Sequence, residues 1–99
     1  MKTEYLIAVD EFCSNHNVEI SFITSLQHSG LIEITLVEES YFIDPDQLPQ
    51  LEKFTRLFYE MDINVEGIET IAHLLQRMND MHDELTVLRN RLRFYELNE

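Results

Sequence analysis

The most reactive side chains of this 99-residue chain are Cys13 and His16, which are spaced to lie one helical turn apart. At positions i and i+3 of a helix, a thiol and an imidazole could share a metal ion. A metal site needs three or four ligands, however, and no second pair has the spacing to complete one. A Cys–His nucleophile pair also lacks an orienting third group and an oxyanion hole. The sequence therefore predicts a buried Cys13, a surface His16, and no metal or cofactor.

The remaining reactive groups predict no catalytic site. His73 and His82 fall on a predicted long helix, at positions that favour solvent exposure. The acidic pairs at 38–39 and 83–84 could act as paired carboxylates, but neither belongs to an evident cleft. The two glycines stand alone, so there is no glycine-rich phosphate loop. We interpret the chain as a non-enzymatic protein; an effector-binding enzyme or a metal sensor stays as a third alternative, suggested only by Cys13 and His16.

Negative charge dominates the composition. Nineteen Asp and Glu oppose seven Lys and Arg, which gives a net charge of −12. The excess lies in residues 1–76, where fourteen acidic side chains face three basic ones, whereas residues 77–99 are nearly balanced. Because affinity for DNA depends on cations that neutralise phosphates, this balance argues against direct DNA binding. It favours a basic partner, whose association an acidic surface accelerates.

The N-terminal region and the single cysteine predict a soluble cytoplasmic protein. The apolar run LIAV is too short for a signal peptide, and no stretch approaches the ~20 apolar residues of a membrane span. With Cys13 alone, no intrachain disulfide can form.

Two short helices and a hairpin are predicted in the first half of the chain. Residues 9–17 fit a helix that ends at Asn17, and a second helix runs from about Glu19 to Ser29, before Gly30. The apolar stripe of the second helix is formed by Ile23 and Leu26 with either Ile20 or Phe22. A strand period over 32–37, a polar turn at 38–40 and an apolar run at 41–43 then predict a β-hairpin. This order is that of a winged helix-turn-helix.

A third helix is predicted at about 46–61. Asp44 would be its N-cap, Pro45 its first residue and Gln47 the capping-box partner. Pro49 disturbs this pattern, because an interior proline loses a hydrogen bond. Either the first turn is distorted, or the regular helix begins near Pro49.

A last helix is predicted from a cap at Asn64 to about Leu97, roughly 50 Å long. Its apolar residues follow a heptad repeat over about three and a half heptads, which predicts a coiled coil. We expect a homodimer, although the chain's own helices could also cover the seam. The flanking charges, such as Glu84 with Arg89, favour parallel pairing weakly, because exposed ion pairs contribute little. The seam consists of Ile71, Leu74, Met78, Met81, Leu85, Leu88, Leu92 and Tyr95.

The predicted second helix has the place of a DNA-recognition helix but not its charge. From Glu19 to Ile32 the chain contains no Lys and no Arg, and the predicted wing tip carries Glu38 and Glu39. Half or more of protein–DNA hydrogen bonds go to phosphate and sugar, often from Lys and Arg. The polar side chains that could still contact bases are Ser21, Thr24, Ser25, Gln27 and His28. We therefore interpret this frame as a winged helix without its nucleic-acid chemistry.

The segments VDEFCSNHNVEISFITSLQHSGLI and SYFIDPDQLPQLEKF resemble the MerR-type winged-helix family. Where members of that family carry an Arg and aromatic residues for DNA backbone contact, this chain has Thr24, Ser25 and Leu26. The motifs EFC at 11–13, GLI at 30–32, YFID at 41–44 and the long-helix segment ending in LRNRLRF resemble more closely the chaperone-modulator subgroup of the CbpM type. This likeness covers nearly the whole chain.

The resemblance implies a modulator that binds the J-domain of a DnaJ-like, curved-DNA-binding co-chaperone. Such modulators inhibit both the stimulation of Hsp70 by that co-chaperone and its DNA binding. J-domains meet Hsp70 through a basic helix, which an acidic domain could occupy. We expect the contact to involve the acids of the wing and the next helix, namely Glu38, Glu39, Asp44, Asp46 and Glu52.

The expected architecture is mainly α: a MerR-like winged helix-turn-helix with a short β-hairpin wing over residues 1–62, followed by a long coiled-coil-type helix over 63–99 that serves dimerisation or partner packing. The expected function is inhibition of a J-domain co-chaperone. The alternative is a MerR-like DNA-binding transcriptional regulator.

Overall fold

The computed structural model of the chain describes residues 5–97. These residues form two compact units, and the boundary between them in the sequence lies between Glu69 and Thr70. We call the first unit, up to Glu69, the head. No helix within residues 5–97 has the length and apolar character needed to cross a membrane. The described elements are, in order, β1 (Ile7–Ala8), α1 (Val9–His16), α2 (Ile20–His28), β2 (Thr35–Val37), β3 (Ser40–Ile43), a 3-10 turn (Pro45–Gln47), α3 (Leu48–Tyr59) and α4 (Val65–Leu97).

The predicted helix-turn-helix is confirmed as α1 and α2. Asn17 ends α1 in the left-handed conformation at φ 55°, and Gly30 follows α2 at φ 77°, as expected for helix stops. Of the two residues that spacing left open for the apolar stripe of α2, Phe22 is buried and Ile20 is exposed. The core that α1 and α2 share contains Val9, Phe12, Cys13, Phe22, Ile23 and Leu26.

The wing is part of a three-stranded antiparallel sheet in the order β1-β3-β2. The hairpin β2–β3 was predicted, but β1 was not: Ile7 and Ala8 pair with Ile43 and Phe42 of β3. The first strand is also shorter than the strand period over 32–37 suggested, since regular pairing begins only at Thr35. The mainly helical winged helix-turn-helix with a hairpin wing is thereby confirmed.

Gln47 explains why the strand begins late. Its side-chain amide accepts from the backbone N–H of Glu33 at 2.7 Å and donates to the carbonyl of the same residue at 2.8 Å. These two bonds give Glu33 the partners that a neighbouring strand would otherwise supply. The prediction that Gln47 completes a capping box was therefore wrong, whereas the N-cap at Asp44 is confirmed by its Oδ1, which accepts from the N–H of Asp46 at 2.9 Å.

The regular third helix begins next to Pro49, which is the second of the two alternatives that this proline raised. The 3-10 turn comes first, and the regular helix α3 begins at Leu48, so that Pro49 lies in its first turn, where no backbone donor is needed. The helix ends at Tyr59, earlier than the predicted 61. The N–H of Ile63 then bonds the carbonyl of Leu57, six positions back, with Asp62 left-handed at φ 57°.

The first turn of α4 belongs to the head. Asn64 caps it as predicted, since its Oδ1 accepts from the N–H of Gly67 at 2.8 Å. A Cβ at Gly67 would lie 2.8 Å from Cγ2 of Ile63 and 3.1 Å from this same Oδ1. A side chain at position 67 would therefore crowd the capping residue, and glycine leaves room for the cap. The next residue, Ile68, is fully buried and completes the core of the head with Ile43 and Leu51.

Candidate functional site

The outer surface of α2 is neutral. Ser21, Ser25, Gln27 and His28 are exposed, and Thr24 is half-buried. Two of the hydroxyls already have partners nearby: Thr24 Oγ1 donates to the carbonyl of Ile20 at 3.0 Å, and Ser21 Oγ lies 3.4 Å from a carboxylate oxygen of Glu19. With no Lys or Arg between residues 19 and 32, this surface offers phosphates no cation.

The rest of the head supplies little positive charge in compensation. Within its described part, residues 5–69, the Lys and Arg residues are Lys53 and Arg56, both on α3. Arg56 lies one helical turn from Glu60, with Nε and a carboxylate oxygen 3.9 Å apart. The surface of the head is therefore electrostatically suited to a basic partner.

The wing tip consists of Glu38 and Glu39, which are exposed and connect β2 to β3. Both residues have positive φ, 49° and 68°, the combination that type I′ hairpin turns require. Asn-Gly is the pair favoured in such turns, because the left-handed conformation costs a residue with a long side chain roughly 1–2 kcal/mol. The chain therefore presents two glutamates at positions where backbone energetics favour Gly, Asn or Asp.

We expect the double substitution Glu38→Asn with Glu39→Gly to raise the free energy of unfolding of the head by about 1–2 kcal/mol, because it relieves two left-handed glutamates. Thermal unfolding followed by circular dichroism would measure the gain as a higher Tm. The matched control is Glu38→Gln with Glu39→Gln, which removes the same charges and keeps both side chains. An equal rise in the two variants would mean that charge repulsion, and not backbone conformation, limits the stability of the turn.

The five acids predicted to contact a partner occupy three local settings. Glu38 and Glu39 form the wing tip, and Asp44 is exposed but engaged as the cap of the 3-10 turn that contains Asp46. Glu52 lies on α3, where its carboxylate oxygen is 3.8 Å from Nε2 of His16 on α1. Within residues 5–97, Glu38, Glu39 and Asp46 are thus the members of the set whose carboxylates have no hydrogen bond or ion pair that competes with a binding role.

Cys13 and His16 do not face a common ligand position. Cys13 is buried in the core, and burial, with a smaller contribution from the Asp10 carboxylate, raises the pKa of its thiol. A protonated thiol is a poor metal ligand and a poor nucleophile. The ring of His16 stacks on Phe12 with centroids 4.1 Å apart, and its Nδ1 lies 3.1 Å from the carbonyl of that residue. Across residues 5–97, no group of three or more His, Cys, Asp and Glu side chains is arranged to hold a metal ion.

An aromatic cluster that the sequence pattern did not indicate fixes the start of α2 against α3. The ring of Phe22 lies 4.5 Å from that of Phe58 and 5.5 Å from that of Tyr59, centroid to centroid. The hydroxyl of Tyr59 accepts from the backbone N–H of Glu19 at 3.0 Å, which satisfies a donor at the N-terminus of α2. The capping role of Tyr59 depends on a contact across forty positions of sequence, so helical spacing gives no sign of it.

In the second unit, α4 presents its heptad positions to solvent. Leu74, Met78, Met81, Leu85, Leu88, Leu92 and Tyr95 are between 45% and 68% exposed, and Ile71 is half-buried. Val87 and Phe94 add exposed apolar surface at a heptad position outside this seam. A continuous apolar seam of this length is the pattern that pairs helices in coiled coils.

A family model described as MerR HTH family regulatory protein matches residues 7–90 of the chain. The match includes α1, α2, the wing, α3 and most of α4. No curated protein and no solved structure shows significant similarity to the chain.

Proposed function

Because the chain belongs to the MerR HTH regulatory protein family, matched over residues 7–90, we propose that it uses the winged helix of that family to bind a protein instead of DNA. Specifically, we propose a chaperone modulator of the CbpM type. Its partner is the J-domain of a DnaJ-like, curved-DNA-binding co-chaperone. The motifs that resemble chaperone modulators support this choice of partner. The geometry of the head supports the mode of binding.

The absence of cations from α2 carries the proposal. A helix in the recognition position with no Lys or Arg between residues 19 and 32 cannot hold a phosphate backbone by charge. The wing, which in a DNA-binding protein would approach the duplex beside that helix, ends in two glutamates. Both features fit a partner with a basic surface, as J-domains have in the helix that meets Hsp70.

In this proposal the head inhibits by occupation. Carboxylates of the head cover the basic helix of the J-domain, so that Hsp70 and the head compete for one surface. Pairing of α4 along its seam joins two chains, so that a partner offering two J-domains would bind the second head at a raised effective concentration. The proposed compartment is the cytoplasm, and the proposed mechanism requires no enzymatic step and no cofactor.

The proposal predicts salt-sensitive binding to an isolated J-domain. Reversal of the wing charges, Glu38→Lys with Glu39→Lys, should weaken binding by about tenfold or more at low salt, since like charges then face each other across the interface. Isothermal titration calorimetry at several salt concentrations measures both the affinity and its salt slope. Asp80→Lys with Asp83→Lys changes the net charge equally on α4 and should leave the affinity nearly unchanged. No measurable binding of the unaltered protein at low salt would refute the proposed function.

The family match also favours a second candidate, a MerR-like transcriptional regulator that binds DNA. That function requires sequence-specific duplex binding with a strong salt dependence. A mobility shift seen only with one particular operator, in the absence of any co-chaperone, would support the second candidate over the first.

A further inference from the structure

We propose that the cleft between α2 and the wing receives an apolar side chain from a basic amphipathic helix of the partner. The inference rests on the proposed function and names the surface that carries it. The cleft has a volume of about 470 Å³ and is lined mainly by apolar side chains from α1, α2 and the hairpin, among them Ile20, Ile23, Ile34 and Tyr41. All of these lie in the head.

The apolar face of the hairpin continues from the core into this open cleft. Side chains two positions apart on a strand share a face, so Tyr41 lies on the same face as the fully buried Ile43. Leu36 pairs directly with Tyr41 across the hairpin. Leu36 and Tyr41 are nevertheless 61% and 58% exposed, and Ile20, on the opposite side of the cleft, is 53% exposed. Exposed apolar side chains clustered around a concave surface mark a binding site for another molecule.

The charges around the cleft define the chemistry of its occupant. Among residues 5–97, the lining contains no Lys or Arg, and its charged side chain is Asp10. Glu19 precedes Ile20 directly, and the wing-tip residues Glu38 and Glu39 lie three and two positions from Tyr41. An apolar floor with acidic neighbours repels nucleic acid and small anions and matches a segment that is apolar on one side and basic on the other.

A helix fits this description best. Amphipathic helices bind grooves through apolar anchors one turn apart, while the flanking charges set orientation and association rate. One anchor in the cleft would place basic side chains of the same helix near Asp10 on one side and near the wing tip on the other. A second head of this chain is a poor occupant, because residues 1–76 carry fourteen acidic against three basic side chains in each copy.

The test measures binding of the isolated J-domain to Ile20→Ala and to Tyr41→Ala by calorimetry. Both side chains are exposed, so both variants should fold, which circular dichroism verifies. We expect each to weaken binding by about tenfold while the salt slope stays that of the unaltered protein, because an apolar contact is lost and no charge changes. The control is Met61→Ala, which removes an exposed apolar side chain that does not line the cleft and should bind normally.

The two proposals fail in different ways. Normal affinity of both cleft variants, with the unaltered protein binding well, would overturn the cleft assignment and leave the proposed function standing. If the unaltered protein does not bind at low salt, both proposals fall. If the cleft variants change the molecular mass of the free protein in light scattering and bind the J-domain normally, the occupant is a second copy of the chain, which also overturns the inference.

Discussion

Replacing Ile68 with alanine is expected to lower the free energy of unfolding of the head by about 2–5 kcal/mol, the range for truncating a buried aliphatic side chain that leaves a cavity. Ile68 is fully buried and lies one position after Gly67, in the first turn of α4. Its N–H bonds the carbonyl of the capping residue Asn64 at 2.9 Å, so its position is fixed by the cap as well as by packing. Because the cap holds the backbone in place, the cavity that alanine leaves at this position can be closed only in small part.

Urea denaturation followed by circular dichroism measures this loss directly. Met61→Ala is a matched control, because it truncates a side chain of similar size that is 62% exposed, and it should change the free energy of unfolding by less than about 1 kcal/mol. A small domain has only about 5–15 kcal/mol of net stability, so the Ile68 variant should lose a large share of it and unfold at a lower urea concentration. Equal losses in the two variants would show that α4 contributes nothing to the core of the head.

Aspartate at both Leu85 and Leu88 is expected to abolish the proposed homodimer at micromolar concentration. These residues occupy adjacent a and d positions of the seam and are 45% and 53% exposed in the single chain, so their burial would depend on a partner helix. Burying a leucine contributes about 1.5–3 kcal/mol, and a dimer buries each position twice. Losing several such contacts and introducing charges should weaken association by about a hundredfold or more.

Light scattering coupled to size exclusion gives the mass that decides the question. Val87→Asp is the control: it introduces a carboxylate on the same turn of α4, at a side chain that is 52% exposed but outside the seam. The control should remain dimeric, and the double variant should elute as a monomer with a folded head. A monomeric unaltered protein, or dissociation of the Val87 variant as well, would refute pairing along this seam.

The parts of the fold that local signals encode were predictable. Asn17 and Gly30 adopt the left-handed conformations that their residue types favour, and the caps at Asp44 and Asn64 have the expected partners. The heptad repeat of apolar positions predicted the long helix, which α4 forms from Val65 to the last described residue, Leu97. Each of these signals acts within one or two turns of the residue that carries it, so sequence spacing is sufficient to read it.

The features that the sequence did not predict depend on contacts between distant segments. β1 has two residues, too few for a period, and it becomes a strand because β3 pairs with it. The local capping pattern of Gln47 lost to two hydrogen bonds with Glu33, fourteen positions away. Spacing alone left Ile20 and Phe22 as alternatives for the apolar stripe of α2, and only the placement of the hairpin makes Ile20 part of an exposed cleft.

The left-handed glutamates of the wing have an evolutionary consequence. In a lineage where nothing selects for charge at Glu38 and Glu39, neutral drift should carry this turn towards Asn-Gly, because those residues adopt its backbone at lower cost. Selection for charge at the wing tip would oppose that drift and keep the two carboxylates in place. The residues at these two positions in related chains would therefore show, lineage by lineage, whether charge at the wing tip is under selection.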